Sequence, residues 1–155
     1  MRALAVDWGT QRIGLAVCDR EGILASPHSV IEPARDVEAV RRRLARLVVD
    51  EEIEVVVVGW PLSLDGRRGP AARSVEAQAA ALERALPVPV VLHDERLTTV
   101  TAHRLLAEQG LDERARRRVV DRAAAAVLLQ SWLDGGAPVD VVAGALDPPE
   151  ETDPP

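Results

Sequence analysis

The chain has 155 residues, 47% of them hydrophobic, which fits one domain around one core, and its formal net charge of −6 argues mildly against nucleic acid as a partner. With no Phe, no Tyr and only three Trp, the core must be aliphatic, and an aromatic platform for stacking bases is excluded. No stretch approaches the roughly 18 consecutive apolar residues of a membrane span, and the N-terminus lacks the three regions of a signal peptide.

In chain order, residues 2–8 alternate around Leu4 and Val6 as a strand does. Residues 12–18 read as a second strand, and the tight Gly9-Thr10-Gln11 connection predicts a hairpin. Cys18, the only cysteine, has no internal disulfide partner, so a reducing cytoplasm is expected; by default it is a small buried hydrophobe. Residues 24–31 give a third strand, interrupted by Pro27. Asp36 is placed to cap a helix whose apolar face is Val37, Val40, Leu44, Leu47 and Val48, with Arg41, Arg42, Arg43 and Arg46 mostly off it.

Residues 54–58 form a β-branched run typical of a strand buried on both faces, ended by Gly59-Trp60-Pro61. A Gly/Arg-rich loop follows, and Pro70 opens an Ala-rich helix to about Leu86. Residues 88–92 are a short buried strand starting near Pro89, and Thr98 or Thr99 caps a helix that stops at Gly110. Asp112 caps the last helix, which runs to about Asp134 and ends at Gly135-Gly136. The expected domain is 1–146. Residues 147–155 form an acidic, Pro-rich tail expected to be disordered; it carries four acids and no base, so the remainder has a charge of only −2. The order β-β-β-α-β-α-β-α-α predicts an α/β fold, a mixed five-stranded sheet with helices on both faces, whose ligand site lies beyond the carboxyl ends of the strands.

Three acids break the local pattern. Asp7 ends the first strand and Glu95 follows the VPVVL strand, and core packing asks for a carboxylate at neither place. Asp121 shares a helix face with Ala124, Ala125, Leu128 and Trp132, the face that packs on the sheet; the alternative reading is a buried ion pair with one of the Arg residues. Three converging carboxylates make an oxygen-rich cage suited to Mg²⁺ or Mn²⁺. Zinc is not expected, because His28, His93, His103 and Cys18 show no ligand spacing. His93 reads as a hydrogen-bonded strand-end histidine, His103 as an exposed flank, and Trp60 and Trp132 as core. Asp19, Asp65 and Asp94 are further acids, with Asp94 disfavoured because a strand neighbour of Glu95 points to the opposite face.

Four segments, DWGTQRIGLAVCD (7–19), VVVGWPLSLDGRRG (56–69), HDERLTTVTA (93–102) and VVDRAAAAVLLQSWLD (119–134), resemble the RuvX/YqgF family of Holliday junction resolvases or pre-16S ribosomal RNA nucleases. The resemblance implies an RNase H-like fold and an acidic site at Asp7, Glu95 and Asp121. Gln11 and Arg122 stand where Lys is common, and Trp60 where an aliphatic residue is common; the change at position 11 puts one phosphate contact in doubt.

The expected activity is metal-dependent endonucleolytic hydrolysis, with Asp7 bridging two ions about 3.5–4 Å apart and Glu95 and Asp121 on the flanks. All 19 basic residues are Arg, so phosphate contacts fall to guanidinium groups. The candidates are Arg12, Arg67, Arg68, Arg117, Arg118 and Arg122. Symmetrical cutting of a junction would want a homodimer. Two rivals remain: a non-catalytic nucleic-acid or ribosome-assembly module, and an actin-like phosphotransferase suggested by Asp7-Trp8-Gly9-Thr10. The second lacks the further domain and phosphate loop that it would need.

Overall fold

In a computed structural model of the protein, residues 1–32, 35–98 and 113–146 are described, with 113–122 described as helical backbone only. Five strands form one sheet: β1 (Ala3–Trp8), β2 (Ile13–Cys18), β3 (Ala25–Ile31), β4 (Val55–Trp60) and β5 (Val90–Asp94). Among the described residues the long helices are α1 (Val37–Asp50), α2 (Pro70–Ala85) and α3 (Glu113–Asp134). The strand order is β3-β2-β1-β4-β5. The β3-β2-β1 half is antiparallel, and β1, β4 and β5 run parallel. Chain direction therefore makes β1 the first central strand, and the topology reverses between β1 and β4. A crevice at such a reversal is where open α/β sheets bind ligands.

The sheet sorts its side chains by the period of two. Leu4, Val6, Ile13, Leu15, Val56, Val58, Val90 and Leu92 pack with Val40, Leu44 and Val48 of α1 and Val75, Ala79 and Leu82 of α2. Ala3, Ala5, Ala16, Cys18, Val55, Val57 and Val91 pack with Ala125, Leu128, Leu129 and Trp132 of α3 on the other face. Small residues dominate the α3 face, which lets that helix approach the sheet closely. Asp36 caps α1 through its side chain, which accepts from the Ala39 amide at 3.1 Å. Pro70 opens α2.

The expected mixed sheet with helices on both faces is present. Pro27 is tolerated because β3 is an edge strand, and the register shifts beside it, opposite Leu15 and Ala16. Two boundaries differ from the sequence reading. β4 continues through Gly59 and Trp60, and β5 spans 90–94 rather than 88–92. Pairing with β4 decides both: Gly59 faces His93 and Trp60 faces Asp94 in the ladder, although Gly59 and Asp94 are poor strand formers. The other edge of the sheet is covered by a segment the sequence reading missed. Leu92 donates to the Val141 carbonyl at 2.9 Å, and Val91 bridges Val142. The expected helix from Thr98 or Thr99 to Gly110, His103, the Asp112 cap and the acidic tail lie outside the described residues. Helical turns already begin at Arg96, so Thr98 is not the cap; its hydroxyl donates to the Glu95 carbonyl at 2.6 Å.

Candidate active site

Asp7, Gly14, Gly59, His93 and Glu95 share the α3 side of the sheet. Asp7 pairs with Gly14 across β1 and β2, and Val6 pairs with Val58, which puts Gly59 beside Asp7 on the opposite flank. Two glycines thus border the Asp7 carboxylate within the sheet. Each has a reason. A Cβ on Gly59 would lie 2.6 Å from Glu95 Oε1, so the Glu95 side chain occupies the space that residue 59 leaves empty. A Cβ on Gly14 would meet Ala125 Cβ at 3.5 Å and Asp7 Cβ at 3.8 Å, ordinary contact distances. Gly59 leaves the gap that Glu95 fills in this conformation, and Gly14 is a permissive glycine. A glycine inside a strand signals close approach of another group, so this feature was legible; the sequence reading used Gly59 only as a strand terminator.

Glu95 is fixed from its backbone, whose amide donates to the Trp60 carbonyl at 3.0 Å. Burial pushes the Asp7 carboxyl above its ordinary range. Glu95 is raised too, first by burial, then by the negative charges of Asp7 and Asp94. The two acids therefore feel each other across Gly59. Among the described residues neither carboxylate has a cation or hydrogen-bond donor, and no third acid, His or Cys gathers with them. A buried pair of this kind stays ionised only with a counter-charge; otherwise it takes up a proton. Hard oxygen donors with that deficit fit Mg²⁺ or Mn²⁺.

The third expected acid, Asp121, belongs to α3, two residues before a kink at Ala123, but its side chain is outside the described residues, as are those of Arg117, Arg118 and Arg122. The other acids are engaged elsewhere. Asp19 lies at the opposite end of the sheet and accepts from the Ile23 and Leu24 amides. Asp65 pairs with Arg67 at 2.7 Å. Burial pushes Asp94 up, yet its bonds to Arg96 hold it below the ordinary range. His93 is buried, with Nε2 at 2.9 Å from Ser131 Oγ, and burial lowers its pKa against the pull of Asp94.

A groove of about 760 Å³ leads from Asp7 over Gly14 to Val30 on the edge strand, between the β1–β2 turn and Ala123–Ala126 of α3. Thr10, Gln11 and Arg12 form its polar rim. Arg12, a candidate from the sequence, lines this groove together with Thr10 and Gln11. Arg67 is exposed on the loop after β4. Arg68 is committed differently: it grips Glu76 of α2 with its Nε and Nη2, while Trp60 Nε1 donates to the same carboxylate at 2.9 Å. Burial raises Glu76, but Arg68 and Trp60 hold it below the usual range. Arg68 therefore anchors its loop.

Strand order and the placement of the helices define an RNase H-like fold. RuvC of T. thermophilus, solved in complex with a Holliday junction substrate, superposes with a TM-score of 0.62 at 16% identity, covering 92% of this chain and 99% of that one. Residues 1–135 match the family described as RuvX: Holliday junction resolvase. The chain belongs to that family. A relative from Streptomyces avermitilis is 51% identical over 134 residues, 86% of this chain and 85% of its own length. One from Kineococcus radiotolerans is 48% identical over 151 residues, covering 91% of this chain and 78% of its own. Both carry the name "Putative pre-16S rRNA nuclease".

Proposed function

We propose that the protein is a metal-dependent endonuclease that hydrolyses phosphodiester bonds in structured nucleic acid, with the 5′ end of precursor 16S ribosomal RNA as its substrate. The observation that carries this reading is the Asp7–Glu95 pair: two desolvated carboxylates, without a counter-charge among the described residues, at the reversal point of the sheet. The names of the relatives support the RNA substrate.

Asp7 and Glu95 would hold Mg²⁺ or Mn²⁺, with Asp121 as the third ligand from α3. Such ions, as a pair, supply an activated water and neutralise charge on the leaving oxygen. The chain's own residues do the rest. Gly59 leaves Glu95 room to reach over β4 toward Asp7. Arg12, with Thr10 and Gln11, holds a phosphate at the mouth of the groove, and Arg67, Arg117, Arg118 and Arg122 take flanking phosphates. His93 is not assigned as the base, because its ring is buried and its Nε2 is engaged by Ser131 Oγ. Among the described residues no helix is long and apolar enough to cross a membrane, and a cytoplasmic location fits the proposed RNA substrate.

The family description favours a second substrate, the four-way DNA junction, whose symmetrical cutting would use a two-fold dimer. The test incubates the purified protein with precursor RNA and with a junction, in Mg²⁺ or Mn²⁺. Cleavage of the RNA is expected, abolished by EDTA, by Asp7→Asn and by Asp121→Asn. Cutting of the junction alone would move the substrate to DNA. No cleavage of either would remove the nuclease reading.

A further inference from the structure

The turn after β4 holds an apolar side chain out into solvent at the end of the sheet where β1 and β4 finish. Leu64 is 95% exposed, the highest value among the exposed large hydrophobic residues described. A lone surface leucine is ordinary; the scaffold beneath this one is not. Ser63 N donates to the Arg67 carbonyl at 3.0 Å, Gly66 N to the Ser63 carbonyl at 2.8 Å, and Arg67 N to Ser63 Oγ at 3.0 Å. The Ser63 hydroxyl also donates to Asp65. Gly66 has φ of +86°, the left-handed region that glycine enters without cost. Arg96 then ties the turn to the site. Its Nη1 donates to the Leu64 carbonyl at 3.3 Å while its guanidinium grips both oxygens of Asp94. Because β4 and β5 run parallel, and the Glu95 amide bonds to the Trp60 carbonyl, the Leu64 turn lies at the same end of the sheet as Glu95.

The chain has no Phe and no Tyr. Its three Trp are spoken for: Trp132 is fully buried, Trp60 is bound to Glu76, and Trp8 packs half-buried against the core. A base that must be unstacked near the acids therefore meets an aliphatic side chain rather than a ring. Leucine serves as such a wedge between base steps in proteins that distort nucleic acid. A turn already locked by its own hydrogen bonds loses little freedom on insertion. Arg67, 84% exposed on the same turn, supplies a cation for the adjoining phosphate.

We propose that Leu64 is a wedge that enters the base stack of the substrate where paired nucleotides give way to unpaired ones. This rests on the nucleic-acid reading of the site and specifies the feature recognised. The test uses 2-aminopurine, whose emission rises on unstacking, at the border nucleotide of an RNA stem with a 5′ single-stranded extension and at the branch of a four-way DNA junction. Protein is added to saturation in the Asp7→Asn background, so that no strand is cut. About a threefold rise is expected on at least one probe, lost with Leu64→Ala and restored with Leu64→Met. An undiminished rise with Leu64→Ala, or no rise on either probe with Leu64 present, overturns the wedge. Cleavage by the wild-type protein, measured in parallel, separates the two claims. Cleavage without a rise removes the wedge alone, and a rise without cleavage removes the nuclease reading alone.

Discussion

Asp7 sits where its ionised form is least welcome, half out of water and beside a second carboxylate. Its pKa is raised above the ordinary 3.8, and that of Glu95 above 4.5. An acid whose folded pKa is raised stabilises the fold below its unfolded pKa and loses that contribution as pH rises through the folded value. Without divalent ions, Asp7→Asn and Glu95→Gln should therefore melt higher than wild type at pH 8, by about 2–4 °C per kcal/mol recovered, and the gain should shrink toward pH 4. Calorimetry in EDTA measures this. Adding Mg²⁺ should raise the melting temperature of wild type and not of Asp7→Asn. A melting temperature lowered by either substitution in EDTA would mean that the carboxylates are satisfied within the protein and need no ion. Both acids were legible in the sequence because each ends a strand that hydrophobic pattern alone had marked as buried. Arg68 was not. Its pairing with Glu76 joins a loop to the middle of a helix, and no spacing rule connects the two.

At the scale of elements, the site depends on β4 lying between the strands that bring Asp7 and Glu95. Gly59→Ala places a methyl 2.6 Å from the present position of Glu95 Oε1. The carboxylate is the mobile end of its side chain and will swing away, so the fold should survive while cleavage falls on the order of 100-fold, the scale of a displacement of about 1 Å in a reacting group. Gly14→Ala meets only ordinary contacts and should keep cleavage within about threefold, a difference of under 1 kcal/mol in barrier height. Steady-state kinetics on one RNA substrate compares the two; equal losses would show that Gly59 is not a spacer for Glu95. The same pairing explains the shifted boundary of β5. Hydrophobicity marks 88–92, but the ladder extends to Asp94 because β4 offers partners as far as Trp60.

Across the whole molecule, a charge of −6 opposes a polyanionic partner, and the four acids of residues 147–155 carry much of it. Removing those residues should tighten binding of structured RNA several-fold in 50 mM salt and hardly at all in 200 mM salt, where the Debye length is shorter. Filter binding of the full and shortened chains checks this; no difference at either salt would show that the tail's field does not reach the bound strand.

By itself the sequence determined what short-range physics controls: alternating strands, the Asp36 cap, the Pro70 helix start, the aliphatic core, and two acids at the ends of buried strands. Each depends on residues a few positions apart. The tertiary structure decided what depends on neighbours distant in sequence: that Gly59 makes room for Glu95, that Asp19 lies at the wrong end of the sheet, that Arg68 serves α2, and that the 139–145 segment closes the β5 edge. These follow from the order β3-β2-β1-β4-β5. Non-local backbone pairing and burial of two sheet faces set that order, and no local pattern encodes it.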